Sequence, residues 1–285
     1  MIEVEGLTYS YPNGEHPAVR DLSFSIEQGE VFGFLGPSGA GKSTTQNILI
    51  GLLKGFEGNV KVMDRSLVDW GAEYFEEIGV SFEAPNHFAK LTARENLSFF
   101  GSLYEGEGED PGSLLEMVAL DGDADVRVSQ FSKGMKHRLN FARSLLNRPR
   151  LWFLDEPTAG LDPINGRRVR DIVREQQGRG VTTFLTTHDM AVADELCDRV
   201  GFIVDGRVET VDTPRALKLE HGTRSLRVEF DDEDGGTRAR DFPLDGLSSD
   251  EEFQRVLRER RIETMHSQET TLEQVFVEVT GRQLQ

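Results

Sequence analysis

The chain has 285 residues, of which 37% are hydrophobic, with one cysteine and a formal net charge of −18. That length points to one main domain with an appendage, and one cysteine excludes an internal disulfide. No stretch approaches the ~18 consecutive apolar residues of a membrane span, and a surface this acidic argues against nucleic-acid binding, which needs basic patches. The opening Met1-Ile2-Glu3-Val4-Glu5 lacks the basic and apolar regions of an export signal, so a cytoplasmic protein is expected. Cys197 follows Ala191, Ala193 and Leu196 in a helix-like stretch, the setting of a buried core thiol.

In chain order, residues 2 to 31 alternate apolar and polar positions and predict antiparallel β structure, with a turn at Tyr11-Pro12-Asn13-Gly14. Tyr11 is either an ordinary strand-end aromatic or a ring that stacks on a nucleobase. Val31 to Leu35 then forms a short apolar run, followed by Gly36-Pro37-Ser38-Gly39-Ala40-Gly41-Lys42-Ser43-Thr44 and a helical pattern through Leu53. Strand, glycine-rich turn and helix in that order make GxxxxGKS a phosphate-binding loop. Glycines let backbone N–H groups converge on phosphate oxygens, Lys42 reaches the β- and γ-phosphates, and the Ser43 hydroxyl is a ligand for Mg²⁺. The chain is expected to bind a nucleoside triphosphate.

Gly58 to Met63 and Glu76 to Phe82 predict two further strands. Thr92-Ala93-Arg94-Glu95 is a capping box opening a helix through Tyr104, Ser113 to Leu120 a short helix, and Ser132 the cap of a helix to Leu146. Residues 85 to 147 therefore read as a helical insert. Leu151-Trp152-Phe153-Leu154-Asp155-Glu156 is a buried strand that delivers two carboxylates at its C-terminal end, where α/β folds keep their chemistry. Asp155 suits Mg²⁺ binding, and Glu156 suits the polarisation of an attacking water. Asp162-Pro163 opens a helix, Val181 to Thr187 forms a strand, and His188 at its end is either structural or a partner of the γ-phosphate. Arg199 to Val204, Asp205-Gly206 and Arg207 to Val211 predict a hairpin.

Residues 1 to 222 resemble the nucleotide-binding subunit of an ATP-binding cassette (ABC) transporter, and the similarity runs through that family's whole order of motifs. Tyr11 falls at the base-stacking aromatic, residues 36 to 44 at Walker A, Leu151 to Glu156 at Walker B with its catalytic glutamate, Asp162 in the D-loop and His188 at the switch histidine. Ser132, Lys133, Gly134 and Met135 stand where the family has its signature, with lysine and methionine in place of glycine and glutamine. Glu83 stands at the Q-loop glutamine, and a carboxylate there is a third candidate Mg²⁺ ligand beside Ser43 and Asp155. The resemblance implies an α/β P-loop NTPase of ABC type, with a mixed sheet, an antiparallel β subdomain and the helical insert. It further implies Mg²⁺-dependent ATP hydrolysis, a head-to-tail pair of cassettes, homodimer or heterodimer, in which the signature contacts ATP held by the second cassette, and a transmembrane permease partner at the cytoplasmic face of the membrane. A soluble ABC ATPase of translation or DNA repair is the alternative. Seven lysines against 25 arginines, on an acidic surface, resemble proteins of high-salt cytoplasm; a merely acidic protein is the other reading.

Residues 223 to 285 predict a small α+β appendage: a strand from Ser225 to Phe230, a turn through Asp231–Gly236, and a strand from Thr237 to Leu244. A helix capped at Ser249-Asp250-Glu251-Glu252 follows, then a strand from Arg261 to Met265 and a last helix with Leu272, Val275, Phe276 and Val279 on one face. It contains no catalytic constellation. Its closing stretch resembles the tail of daunorubicin-exporter-like ATPases, which leaves open a stabilising or dimerising tail or a regulatory domain.

Overall fold

A computed structural model describes residues 1–12, 14–222, 225–232, 236–268 and 270–282. It divides into two compact units, Met1–Thr213 and Pro214–Gln283. The strands of the first unit are β1 (Ile2–Tyr9), β2 (Val19–Ile26), β3 (Val31–Leu35), β4 (Glu57–Val62), β5 (Arg65–Ser66), β6 (Ile78–Ser81), β7 (Leu151–Asp155), β8 (Thr182–Thr187), β9 (Arg199–Val204) and β10 (Arg207–Asp212). Its helices are α1 (Lys42–Leu49), α2 (Tyr74–Glu77), α3 (Ala93–Gly101), α4 (Pro111–Met117), α5 (Lys133–Arg143), α6 (Pro163–Gly178) and α7 (Met190–Leu196). The second unit comprises α8 (Pro214–His221), β11 (Ser225–Asp231), β12 (Thr237–Pro243), α9 (Glu251–Glu259), β13 (Ile262–Gln268) and α10 (Leu272–Thr280).

The central sheet runs β10-β9-β3-β8-β7-β6. Every neighbouring pair is parallel except β9 with β10. Strands β3 and β8 are buried along their whole length, as sequences without alternation require in a sheet covered on both faces. A second, antiparallel sheet runs β2-β1-β4-β5. Phe24 of β2 lies within 5.6 Å of Phe32 and 5.4 Å of Phe34 of β3, ring centre to ring centre, so stacked aromatics join the two sheets. This parallel order collects the ends of β3, β6, β7 and β8 at one edge of the sheet, the place where open α/β sheets bind ligands.

Local signals explain most boundaries. The Thr92 hydroxyl accepts from the Glu95 backbone N–H at 3.1 Å while the Glu95 carboxylate accepts from the Thr92 N–H at 2.8 Å, the reciprocal cap expected there. Asp205 and Gly206 turn the β9–β10 hairpin with φ of 49° and 77°, the left-handed pair a two-residue turn demands. Other expectations shift. The strand expected over Glu76–Phe82 is shorter, because residues 74–77 form the helical turn α2 before β6 begins. Helix α3 stops at Gly101 rather than Tyr104, and α4 starts at Pro111 under an Asp110 cap.

The second unit is a three-stranded antiparallel sheet, β12-β11-β13, with Val228, Phe230, Phe242, Phe253 and Val256 as its core. Asp250, not Ser249, caps α9, its carboxylate accepting from the Phe253 N–H at 2.8 Å. The capping box expected from Ser249 does not form, because the residue three positions after Asp250 is Phe253, which has no acceptor to return the bond. Helix α10 opens at a capping box, Thr271 with Gln274, that the sequence reading did not single out, and it ends at Gly281 with φ 67°. The compact units part between Thr213 and Pro214 rather than at 222/223, since α8, which the sequence pattern left unassigned, packs on α10. Asn13 of the first expected turn and residues 233–235 of the turn before β12 lie outside the described residues. No described helix is long and apolar enough to cross a membrane.

Candidate active site

The loop from Gly36 to Gly41 leaves the end of β3 and enters α1. Two of its glycines are required by geometry. A Cβ on Gly36 would lie 2.2 Å from the Ile203 carbonyl oxygen of β9. Gly41, at φ 110°, takes a backbone conformation that side chains rarely adopt, and a Cβ there would lie 2.8 Å from the Ala18 carbonyl. The first turn of α1 then leaves backbone N–H groups without intrahelical partners, the physical basis of an anion site. Ala40 is buried beneath the loop, its carbonyl accepting from Gly206 at 2.9 Å.

Around this loop the sheet edge assembles a cavity of about 280 Å³ lined by Ser38, Gly39, Gly41, Lys42, Ser43 and Thr44 from the loop. Its other walls are Ala18, Glu83 beyond β6, Asp155 and Glu156 at the end of β7, and His188 beyond β8. Lys42 Nζ donates to the Gly36 and Pro37 carbonyl oxygens at 2.6 and 3.0 Å. Burial pushes the Lys42 ammonium below its ordinary range, opposed by the carboxylates of Glu156, Asp155 and Glu83. Tyr11 stands beside the loop, half exposed, its hydroxyl 3.2 Å from Thr44 Oγ1 and its ring edge-on to Tyr9.

The two carboxylates at the end of β7 are held differently. Asp155 Oδ1 accepts from the Thr186 hydroxyl at 2.5 Å, and that hydroxyl also reaches Gln46 Oε1 on α1 at 3.3 Å. Burial pushes the Asp155 carboxyl above the usual range, with the Glu83 charge acting in the same direction and Thr186 and Lys42 against it. Glu156 is 8% exposed and sits at φ 47°, a strained conformation for a residue with a side chain. Its Oε2 accepts from the Thr187 hydroxyl at 2.9 Å, and its Oε1 from the His188 backbone N–H at 2.9 Å. The His188 ring closes the arrangement with Nδ1 2.7 Å from Oε1. Thr186, Thr187 and Gln46 were not singled out by sequence; a strand ending Thr-Thr-His beside a strand ending Asp-Glu was the available clue.

No three His, Cys, Asp or Glu side chains among the described residues form a ready metal cage. Mg²⁺ does not need one, since it keeps waters and takes one or two protein oxygens together with substrate phosphates. Ser43, Asp155 and Glu83 supply hard oxygen donors to one cavity, and that donor set fits Mg²⁺. Ser132, Lys133, Gly134, Met135 and Asp162 are not in this cavity. Ser132 caps α5, accepting from the Met135 N–H at 3.2 Å. Lys133 and Gly134 lie beside Gly160 and Leu161, and Asp162 caps α6 through Ile164 and Asn165, both at 3.0 Å.

A phosphate loop facing two carboxylates and a histidine across parallel strand ends defines a P-loop NTPase. Known proteins narrow the class. Residues 19–159 match the family model for ABC transporters, and residues 224–269 match that of the fluoroquinolone efflux ABC transporter C-terminal domain. A fluoroquinolones export ATP-binding protein of Mycobacterium tuberculosis is 55% identical over 284 residues, spanning 100% of this chain and 94% of that protein. A Nod factor export ATP-binding protein I of Bradyrhizobium diazoefficiens is 35% identical over 300 residues, spanning 100% and 97%. Among solved structures, a dimeric ATP-binding cassette in a post-hydrolysis state bound to ADP and Pi has a TM-score of 0.68 at 30% identity, covering 75% of this chain and 98% of that one. The chain belongs to the ATP-binding subunits of ABC transporters, with exporter-type relatives, and its cassette is an ATPase. ABC ATP-binding subunits of export systems pair with transmembrane components and dimerise.

Proposed function

We propose that this chain powers a drug exporter of the fluoroquinolone-efflux kind from the cytoplasmic face of the membrane, attached to a separate permease and paired head to tail with a second copy of itself. One observation carries the reading: the catalytic cavity gathers Lys42, Ser43, Asp155, Glu156 and His188, while the signature serine, at the start of an eleven-residue helix, stays outside it. A second cassette would present Ser132 and Gly134 to the γ-phosphate from the open side. The match of residues 224–269 to a fluoroquinolone-efflux domain and the 55% identity support the cargo class, in line with the drug-exporter resemblance of the tail. The acidic, lysine-poor surface supports a high-salt cytoplasm as the working environment.

In this mechanism the Lys42 ammonium exchanges its loop carbonyls for the β- and γ-phosphate oxygens. Glu156, held at both oxygens by Thr187 and His188, polarises the attacking water. The His188 side chain is 57% exposed, free enough to turn from Glu156 toward the γ-phosphate. Ser43, Asp155 and Glu83 would hold Mg²⁺, which supplies charge neutralisation on the phosphates. Tyr11 stacks on the base. Once hydrolysis removes the shared γ-phosphate, the two cassettes separate and reset the permease.

The test is size-exclusion chromatography of Glu156→Gln with ATP and Mg²⁺, followed by a pull-down of the tagged chain from detergent-solubilised native membranes. A trapped dimer and one polytopic membrane protein in near-equal amount are expected. A monomer under saturating ATP, or ribosomes in place of a permease, would overturn the reading. For the cargo, loss of the gene should increase fluoroquinolone accumulation in cells, and unchanged accumulation rejects that substrate class.

A further inference from the structure

Helix α5 does more than present Ser132. Residues 137, 140 and 143 fall at i, i+3 and i+6 on one face, and that face grips the loop carrying Glu83. Asn140 Nδ2 donates to Ser81 Oγ at 3.1 Å and to the Phe82 carbonyl at 2.8 Å. Arg143 donates to the Asn86 carbonyl at 2.5 Å and to Asn140 Oδ1 at 2.7 Å. The Lys136 carbonyl lies 2.9 Å from His87 Nε2. Both ends of the segment from Ser81 to His87 are thus tied to one helix, with Glu83 between them at the wall of the nucleotide cavity.

His137 is the polar side chain on this face without a bond. It is 3% exposed, and neither ring nitrogen has a partner. Buried donors are rarely left unpaired, and those that are call for a reason. Burial pushes its pKa down and Lys133 adds to that, while the Glu83 carboxylate acts in the opposite direction. Burial thus favours the neutral ring, which has one N–H to donate. A neutral donor can orient a carboxylate without competing with a cation for its charge, which is how outer groups hold the ligands of metals.

We propose that His137 is a positioning residue for Glu83: in the nucleotide-bound state its imidazole N–H donates to the Glu83 carboxylate and aims it at Mg²⁺, tying the metal site to the helix that bears the signature. This rests on Glu83 being a Mg²⁺ ligand. A donor ring on the helix face that grips the Glu83 loop accounts for the unpaired nitrogens, and for an acid standing where the family has an amide.

The experiment is a titration of Mn²⁺, as the spectroscopic stand-in for Mg²⁺, into ATP-loaded Glu156→Gln protein, followed by electron paramagnetic resonance. In that background His137→Leu should weaken Mn²⁺ binding on the order of 10- to 100-fold, and His137→Gln, whose amide can still donate, should recover most of it. Combined with Glu83→Gln, His137→Leu should add nothing further. If Glu83→Gln weakens Mn²⁺ binding and His137→Leu does not, the positioning role is wrong while the Glu83 reading stands. If Glu83→Gln leaves Mn²⁺ binding unchanged, the Glu83 reading fails and takes the proposal with it. Equal weakening by His137→Leu with and without Glu83 would show a merely structural role and overturn the proposal. Should His137→Leu not fold, His137→Met removes the donor with a more adaptable side chain and carries the same arm.

Discussion

The two units bury different things. Every buried polar or charged side chain among the described residues, from Glu30 through Gln46, Asn140 and Glu156 to Thr187, belongs to the first unit. Among the described residues, the second unit encloses only hydrocarbon and aromatic groups: Val228, Phe230, Phe242, Phe253 and Val256 under its sheet, and Leu217, Leu272, Val275 and Phe276 on its helices. Burying a polar group is costly unless it is bonded, so a fold retains such groups where they do chemistry or position those that do. The first unit accepts that cost, and the strained backbone of Glu156 with it, at the edge of its parallel sheet. The second keeps its interior apolar.

The sharpest way to break this contrast is to remove one group from each unit. Glu156→Gln should lower ATP turnover on the order of 10²- to 10⁴-fold, as loss of a positioned base does, with nucleotide binding retained in an equilibrium assay. Phe242→Ala, at a site 2% exposed, should cost about 3–5 kcal/mol of second-unit stability, read by chemical denaturation. Turnover of Phe242→Ala at temperatures where that unit stays folded should match the parent. A large loss there would show that the second unit takes part in the chemistry.

Smaller effects sharpen the description of the first unit. Tyr11→Ala should weaken ATP binding by about 1–3 kcal/mol, the value of one base stacked on an aromatic ring. Tyr11→Phe keeps the ring and loses only the bond to Thr44, so its effect should be the lesser; equal losses would deny the stacking role. Asp155→Asn should stabilise the nucleotide-free protein at neutral pH while abolishing its metal chemistry. The sign follows from linkage: the folded-state pKa is raised above the ordinary 3.8, so the stability this group contributes is complete below that value and lost as pH rises through the folded value. The gain in Tm for Asp155→Asn should therefore shrink as pH falls from 7 through that window; a gain independent of pH would assign it to packing. Finally, with a net charge of −18, the Tm should rise with KCl as screening reduces self-repulsion, and a flat response would refute the high-salt reading.

Much of the fold and the outline of the site were legible in order along the chain. The phosphate loop, the strand ending in Asp155-Glu156, the caps at Thr92, Ser132 and Asp162 and the Asp205-Gly206 turn depend on neighbours a few residues apart, and spacing alone exposes them. Short elements competing for the same residues were harder. The helical turn at Tyr74–Glu77 replaced the start of an expected strand, Asp250 outcompeted Ser249 as a cap, and Pro214–His221 joined the second unit because α10 offers it a packing surface.

By itself, the sequence determined that a glycine-rich loop would meet a pair of carboxylates in an α/β fold, because those motifs encode their own backbone geometry and charge. Only the tertiary structure decided what holds those groups in place. Thr186 and Thr187 are 31 residues from the carboxylates they bind, Asn140 reaches back 58 residues to Phe82, and His137 is enclosed without a partner. Such contacts follow from strand order and helix packing, and their energy depends on burial, which no local pattern records.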